Sequence, residues 1–208
     1  MNKLRIITIL FIIVFISRSQ VHSQSINETY EAGKKAFYSD DFESANKLLA
    51  EILNRNSDSY EVSFYKGMIY NIYFDYDKAI SEFTTAIEMD GSKSEPYFNR
   101  ALVYDKQEKF PYAIADYTMA IKKNKKFLDA YNNRATDYER LKQYDKAIND
   151  YTKIVRINPA DDIAYYNRGL LYIQLNRKEE AVEDFEEAIR IDSIWEKELR
   201  GKIDELNK

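Results

Sequence analysis

The sequence contains no cysteine and one histidine, His22, among 208 residues. Without cysteine the chain forms no disulfides and no thiolate-ligated metal sites. With its one histidine near the N terminus, the rest of the chain also lacks the Ser/His/Asp and Cys/His systems of nucleophilic catalysis and the usual transition-metal ligands. Its five glycines are scattered, so there is no glycine-rich phosphate loop. These absences argue against an enzyme and predict no catalytic residue, no metal and no cofactor.

The first 23 residues differ in composition from the rest of the chain. Lys3 and Arg5 precede an apolar run from Ile6 to Ile16, and Val21-His22-Ser23 follows. This order of charge, apolar run and compact residues is typical of a secretory signal peptide. The apolar run has about half of the ~20 residues that a spanning helix needs. We therefore expect cleavage after Ser23 and a secreted or periplasmic protein, with an uncleaved N-terminal membrane anchor as the alternative.

The chain is acidic, with a formal charge of −4 that becomes −7 once the three basic residues of the N-terminal segment are removed. Nucleic-acid binding requires basic surface, because the phosphate contacts supply most of the affinity. An acidic chain is also poorly suited to anionic lipid. The composition therefore predicts neither a nucleic-acid partner nor membrane binding after signal cleavage.

One pattern recurs five times at an interval of 34 residues, without insertion or deletion. Within each unit the apolar residues follow helical rather than alternating spacing. A small residue opens the pattern, an alanine follows after twelve residues, and a large apolar residue comes four positions later. The small residues are Gly33, Gly67, Ala101, Ala135 and Gly169; the alanines are Ala45, Ala79, Ala113, Ala147 and Ala181; the large residues are Leu49, Phe83, Tyr117, Tyr151 and Phe185. A fixed period of this length indicates stacked pairs of helices.

These residues resemble the tetratricopeptide repeat (TPR), most clearly in Tyr97-Phe98-Asn99-Arg100-Ala101 and in the matching segments that begin at Tyr131 and Tyr165. The resemblance implies an all-α, right-handed α-solenoid of a secreted or periplasmic bacterial type. It implies five helix–turn–helix units in one domain, residues 24–208, and a C-terminal capping helix at 195–207. The units are 26–59, 60–93, 94–127, 128–161 and 162–195.

Two packing hypotheses follow from the period itself. The small residue at the eighth position of each unit is expected to face the alanine at the twentieth, so that the two helices approach closely. Arg100, Arg134 and Arg168 each precede an aspartate by sixteen residues, and Lys66 precedes Glu82 by the same interval. In an antiparallel helix pair this spacing predicts a ladder of ion pairs, within a unit or between neighbouring units, that fixes the orientation of the helices.

The resemblance also places a binding groove on the first helix of each unit. Positions five and six of the units supply the groove residues Tyr30, Phe64, Tyr65, Phe98, Asn99, Asn132, Asn133, Tyr166 and Asn167. Asparagine both donates and accepts hydrogen bonds, which suits a peptide backbone, and aromatic residues are enriched at binding hot spots. The alternative is structural: the asparagines belong to a common version of the repeat, and the aromatic rings pack between adjacent helices.

The function implied is non-catalytic protein–protein interaction, in which a scaffold or adaptor holds a peptide or partner segment. A second hypothesis is a self-assembling structural subunit of an envelope complex, stacked through its terminal helices. The sequence identifies neither the partner nor the oligomeric state.

Overall fold

The computed structural model describes residues 26–54 and 59–207; the N-terminal segment predicted as a signal peptide lies outside these ranges. Within them the chain forms eleven α-helices, one 3-10 turn and no strand. The helices are α1 Ile26–Tyr38, α2 Phe42–Leu53, α3 Tyr60–Ile72, α4 Tyr76–Met89, α5 Glu95–Lys106, α6 Phe110–Lys123, α7 Leu128–Arg140, α8 Tyr144–Ile157, α9 Asp162–Gln174, α10 Lys178–Ile191 and α11 Glu196–Leu206. The predicted all-α class of tandem helix–turn–helix units is confirmed.

The chain divides into two compact units, one ending at Glu82 and the other beginning at Phe83. In the N-terminal unit, α1 packs on α2 and both contact α3. In the C-terminal unit, α5 pairs with α6, α7 with α8 and α9 with α10, while α6 also packs on α7, α8 on α9, and α10 on α11. No helix of the described ranges is long and apolar enough to cross a bilayer.

The periodic apolar residues form the core, as predicted. All five alanines of the pattern are fully buried, and the large residues four positions later are 0–2% exposed. In the N-terminal unit the core includes Tyr30, Leu49, Ile52 and Ile69. The helices therefore form because each one buries a stripe at helical spacing against its neighbours.

The small residues pack differently from the prediction. A Cβ added at Gly33 would lie 2.7 Å from Leu49 Cδ2, and one added at Gly169 would lie 2.6 Å from Phe185 Cε1. The nearest neighbour is thus the large residue at position 24, not the alanine at position 20. The alanine leaves room for the helices to approach, and the side chain at position 24 then fills the space beside the small residue.

Each hairpin turn uses one residue in the left-handed backbone region. These residues are Asp40, Phe74, Glu108, Lys142 and Asn176, with φ between 55° and 61°. The amide of the next residue donates to a carbonyl five positions earlier, as in Asp75 N to Tyr70 O at 2.9 Å. This bond closes the helix with a Schellman motif, a geometry that glycine or asparagine usually supplies.

The ion-pair ladder is present in the C-terminal unit. Nε and Nη2 of each arginine donate to both carboxylate oxygens of its aspartate at 2.6–2.8 Å; the pairs are Arg100–Asp116, Arg134–Asp150 and Arg168–Asp184. The remaining Nη1 donates at 2.7–3.0 Å to a threonine of the preceding helix pair; these are Thr84, Thr118 and Thr152. The arginines therefore join one hairpin to the next. Lys66 opposes the rise that burial imposes on the pKa of Glu82, so the relation persists there as a charge interaction.

The C-terminal helix covers the last hairpin. Leu199 and Ile203 of α11 are buried with Phe185 and Ile189 of α10. Trp195 lies just before α11, in the 3-10 turn Ser193–Trp195, and the helix ends at Leu206. Its range is thus one residue shorter at each end than the predicted 195–207.

Candidate functional site

The predicted groove residues of the C-terminal unit lie on α5, α7 and α9. Asn132 is exposed, whereas Asn99, Asn133 and Asn167 are half-buried. The amide of Asn99 donates to the backbone carbonyl of Glu95, one turn earlier on α5, at 2.9 Å. Asn132 therefore presents the most accessible amide of the row.

Asn133 and Asn167 are half-buried, and each lies near a buried tyrosine of the preceding hairpin. Burial raises the pKa of Tyr117 well above its ordinary value, the charges of Asp105 and Asp137 add to the rise, and Asn133 opposes it. Burial likewise raises the pKa of Tyr151, and Asn167 opposes that rise. Each asparagine thus lies near the tyrosine hydroxyl of the preceding hairpin, although the Tyr117 hydroxyl makes no hydrogen bond within the described residues.

The aromatic groove residues of this unit pack against other aromatic rings of the same unit. The Phe98 ring lies 4.6 Å from the Phe127 ring and 5.8 Å from the Tyr117 ring. Tyr166 is stacked on Trp195, with ring centroids 4.4 Å apart and planes 19° apart, and its hydroxyl donates to Glu198 at 3.0 Å. Both rings are half-buried, so each presents only part of its surface.

In the N-terminal unit the three predicted aromatic residues differ in accessibility. Tyr30 is 2% exposed and belongs to the core, so its ring has no face for a ligand. Phe64 and Tyr65 are half-buried and meet edge to face at 5.4 Å. The Tyr65 hydroxyl donates to Asn27 at 2.8 Å. Burial raises the pKa of Tyr65, and the charges of Glu31 and Glu61 add to the rise, so these aromatic residues have acidic neighbours.

A buried polar cluster between α5, α6 and α7 was not predicted. Asp137 is 0% exposed, and of the polar atoms that the structure describes its Oδ2 is one of three buried without a hydrogen-bond partner. Tyr117 Oη is another. Arg140 donates to Asp105 and lies 3.4 Å from Asp137 Oδ1. Burial, followed by the charge of Asp105, raises the pKa of Asp137 to about 7.

A repeat-by-repeat alignment contains the signal for Asp137. Position ten of the second, third and fifth units is Ile69, Val103 and Leu171, all at most 3% exposed. In the fourth unit the same core position is Asp137. In the first unit it is Lys35, which is exposed. An acidic residue at a position that three other units fill with a buried aliphatic side chain indicates a buried carboxyl.

A cleft of about 350 Å³ opens beside this cluster at the turn end of α5 and α6. It is lined by Asp105, Lys106, Glu108, Phe110 and Arg140. The Arg140 guanidinium lies 5.1 Å from the centre of the Phe110 ring, a cation–π contact that occupies one wall. Charges of both signs and an open mouth do not define a catalytic arrangement. The described residues contain no group of three or more His, Cys, Asp or Glu residues that could hold a metal ion.

Comparison with known proteins agrees with this architecture. The family model described as tetratricopeptide repeat matches residues 128–161 and 163–193, the fourth and fifth units. A crystal structure of MamA superposes with a TM-score of 0.68 at 25% identity and covers 79% of this chain and 96% of its own. No curated protein sequence matches.

Two further structures share the fold. YrrB, described as a TPR protein with an unusual peptide-binding site, gives a TM-score of 0.63 at 18% identity, over 86% of this chain and 92% of its own. A tetratricopeptide repeat protein from Parabacteroides merdae gives 0.62 at 28% identity, over 66% of this chain and 55% of its own. The family model thus identifies the fourth and fifth units as tetratricopeptide repeats, and the 34-residue period and the helix pairs extend the same pattern over the other units.

Proposed function

We propose that this chain is a non-catalytic scaffold that binds a peptide or an extended segment of a partner protein along its first helices. The observation that carries the proposal is the asparagine row of α5, α7 and α9, in which Asn132 is exposed and Asn99, Asn133 and Asn167 are half-buried. Carboxamides at regular spacing match the alternating donors and acceptors of an extended backbone.

The family supports the same conclusion at a coarser level. Tetratricopeptide repeat proteins are typically interaction scaffolds that bind protein or peptide partners. YrrB is described as having a peptide-binding site, and it shares this fold. In the N-terminal unit, Phe64 and Tyr65 beside Glu31 and Glu61 would favour a neutral or basic segment.

Site-specific photocrosslinking tests this proposal. A photoreactive phenylalanine analogue replaces Asn132 on α7, or Asn149 on α8 as the matched control, since both asparagines are exposed on the two helices of one hairpin. Each variant is expressed in the native host and irradiated, and its adducts are identified by mass spectrometry. We expect a partner adduct from position 132 and none from position 149.

The adducts also distinguish the alternatives. Partner adducts from position 149 alone would show that the partner binds the second helix of the hairpin, α8, and would contradict the proposal. An adduct between two copies of this chain would favour the self-assembling structural subunit. Loss of the position-132 adduct on replacing Asn99, Asn133 and Asn167 by alanine, in a variant with unchanged helicity, would assign the asparagine row as the contact.

We also propose that the protein acts outside the cytoplasm, as a secreted or periplasmic protein. The basic start, the short apolar run and the compact residues before Gln24 support this placement. Mass spectrometry of the protein recovered from its host should find Gln24 at the N terminus. A chain that begins at Met1 and sediments with membranes would instead favour the N-terminal anchor.

A further inference from the structure

Exposed aromatic side chains cluster at the turn end of the N-terminal unit. Tyr38 is 73% exposed, Phe74 70% and Tyr73 38%. The Phe37 ring lies 5.6 Å from Tyr38 and 6.0 Å from Tyr73, and the rings of Phe74 and Tyr76 are 6.3 Å apart. We call these five residues the turn patch. They belong to the α1–α2 and α3–α4 hairpins and are separate from the predicted groove residues.

The backbone of Phe74 makes its exposure unusual. Phe74 has a φ of 61°, in the left-handed region that is unfavourable for bulky L-residues. The equivalent residues of the other turns are Asp40, Glu108, Lys142 and Asn176, of which aspartate and asparagine are the types that tolerate this conformation best. Phe74 therefore adds backbone strain at a turn, and at 70% exposure it gains little burial in return. The turn requires the left-handed conformation but does not require phenylalanine in it, and a strained residue of this kind is an indication of function.

The exposed charges at the turns of the patch are three carboxylates and two lysines, Lys35 and Lys78. Asp40, Asp41 and Asp77 are exposed at the same turns. Lys78 is paired with Asp75 at 2.7 Å and lies 5.2 Å from the centre of the Tyr70 ring. The Lys78 ammonium group thus lies between a carboxylate and an aromatic ring at this end of the unit. The Tyr38 and Phe74 rings and the carboxylates at these turns are likewise exposed to solvent.

We propose that the turn patch binds an arginine- or lysine-rich segment of a partner protein. Aromatic faces attract guanidinium and ammonium groups, and exposed carboxylates pair with the same cations. The patch would act as a second interaction surface, distinct from the asparagine row and different from it in chemistry. Its partner is defined by positive charge, whereas the asparagine row would hold a peptide backbone.

Fluorescence anisotropy with a labelled oligoarginine peptide and the full chain tests this proposal. Phe74→Asn removes the ring and places a residue suited to the left-handed region. We expect the variant to bind the peptide about fivefold more weakly and to melt at a higher temperature than the unchanged chain. Asp40→Asn should weaken binding as well, because it removes a carboxylate of the patch.

Two matched controls occupy the same turn position in other hairpins. Glu108→Asn removes one negative charge, as Asp40→Asn does, and Lys142→Asn relieves a non-glycine left-handed residue, as Phe74→Asn does. Both control variants should bind the peptide with an affinity within about twofold of that of the wild-type protein. Equal weakening by Glu108→Asn and Asp40→Asn would attribute binding to overall charge and overturn the proposal.

Two further outcomes would also overturn it. If Phe74→Asn lowers the melting temperature, the ring supports the fold and the strain argument fails. The second outcome concerns lipid. If the protein floats with phosphatidylcholine vesicles, and if Phe74→Asn abolishes this flotation but leaves the peptide affinity unchanged, then the turn patch binds a lipid surface and not a basic protein segment.

Discussion

Replacing the buried Asp137 should stabilise the protein and remove part of its pH dependence. In the folded chain, burial and the charge of Asp105 raise the Asp137 pKa from 3.8 to about 7. A difference of this size corresponds to about 4 kcal/mol at the extreme, at about 1.4 kcal/mol per pKa unit. Because the side chain is 0% exposed, water screens this interaction less than it screens charges at the protein surface.

The sign follows from the direction of the shift. A carboxyl whose pKa is higher in the folded state binds its proton more tightly there than in the unfolded chain. Its contribution to stability is therefore complete below the unfolded pKa and is lost as the pH rises through the folded value. Between pH 5 and pH 8, Asp137 alone should lower the free energy of unfolding by about 2–3 kcal/mol.

Urea unfolding followed by circular dichroism at pH 5, 6, 7 and 8 measures this effect. Asp137→Val introduces the residue found at the equivalent position, Val103, which is fully buried. The difference in unfolding free energy between variant and unchanged chain should grow with pH, because the other titrating groups cancel in the difference. At pH 8 the variant should be more stable, since a buried oxygen without a partner is removed.

A second variant separates charge from packing. Asp137→Asn removes the ionisation and retains the polar volume, so it should flatten the pH profile with less gain in stability than valine. If the variant-minus-unchanged difference is the same at pH 5 and pH 8 for both substitutions, then Asp137 does not titrate in this range and the reasoning is refuted.

Two further predictions concern packing in the C-terminal unit. Gly169→Ala should lower the free energy of unfolding by about 1–3 kcal/mol, because the added Cβ would overlap the buried Phe185 ring. Gly201→Ala should raise it by up to about 1 kcal/mol, because no atom lies within 4 Å of the added Cβ. Equal urea midpoints for the two variants would contradict this prediction. Arg134→Met should cost about 3–5 kcal/mol by leaving Asp150 buried and unpaired, and adding Asp150→Leu should restore most of that loss. Additive losses in the double-mutant cycle would show that the two side chains are not coupled.

Much of the fold could be predicted because the period relates each position to four others in the same chain. The buried alanines follow from helical spacing alone, and the pairing of Arg134 with Asp150 follows from a sixteen-residue interval across an antiparallel hairpin. The link from Arg134 to Thr118 could not be predicted in the same way. It joins successive hairpins, and the interval does not specify how they are oriented.

The candidate site was less predictable, because positions inferred from a resemblance carry no information on burial. Tyr30 and Phe64 occupy the same position in successive units, yet Tyr30 lies in the core with Leu49 and Ile52 whereas Phe64 is half-buried. The left-handed turn residues were also missed. The Schellman bond determines their conformation, and the sequence supplies no glycine to mark it.

Asp137 and Phe74 depart from their equivalents in opposite ways. Asp137 places a carboxyl where three other units bury an aliphatic side chain, and Phe74 exposes a large ring where the backbone suits a small polar residue. Restoring the residue type of another unit should stabilise the protein in both cases, for electrostatic reasons at Asp137 and for conformational reasons at Phe74. Only the change at Phe74 should also cost binding, because its side chain reaches solvent while that of Asp137 does not. Stability and peptide affinity measured on both variants therefore separate a residue that modulates the fold from one that contacts a partner.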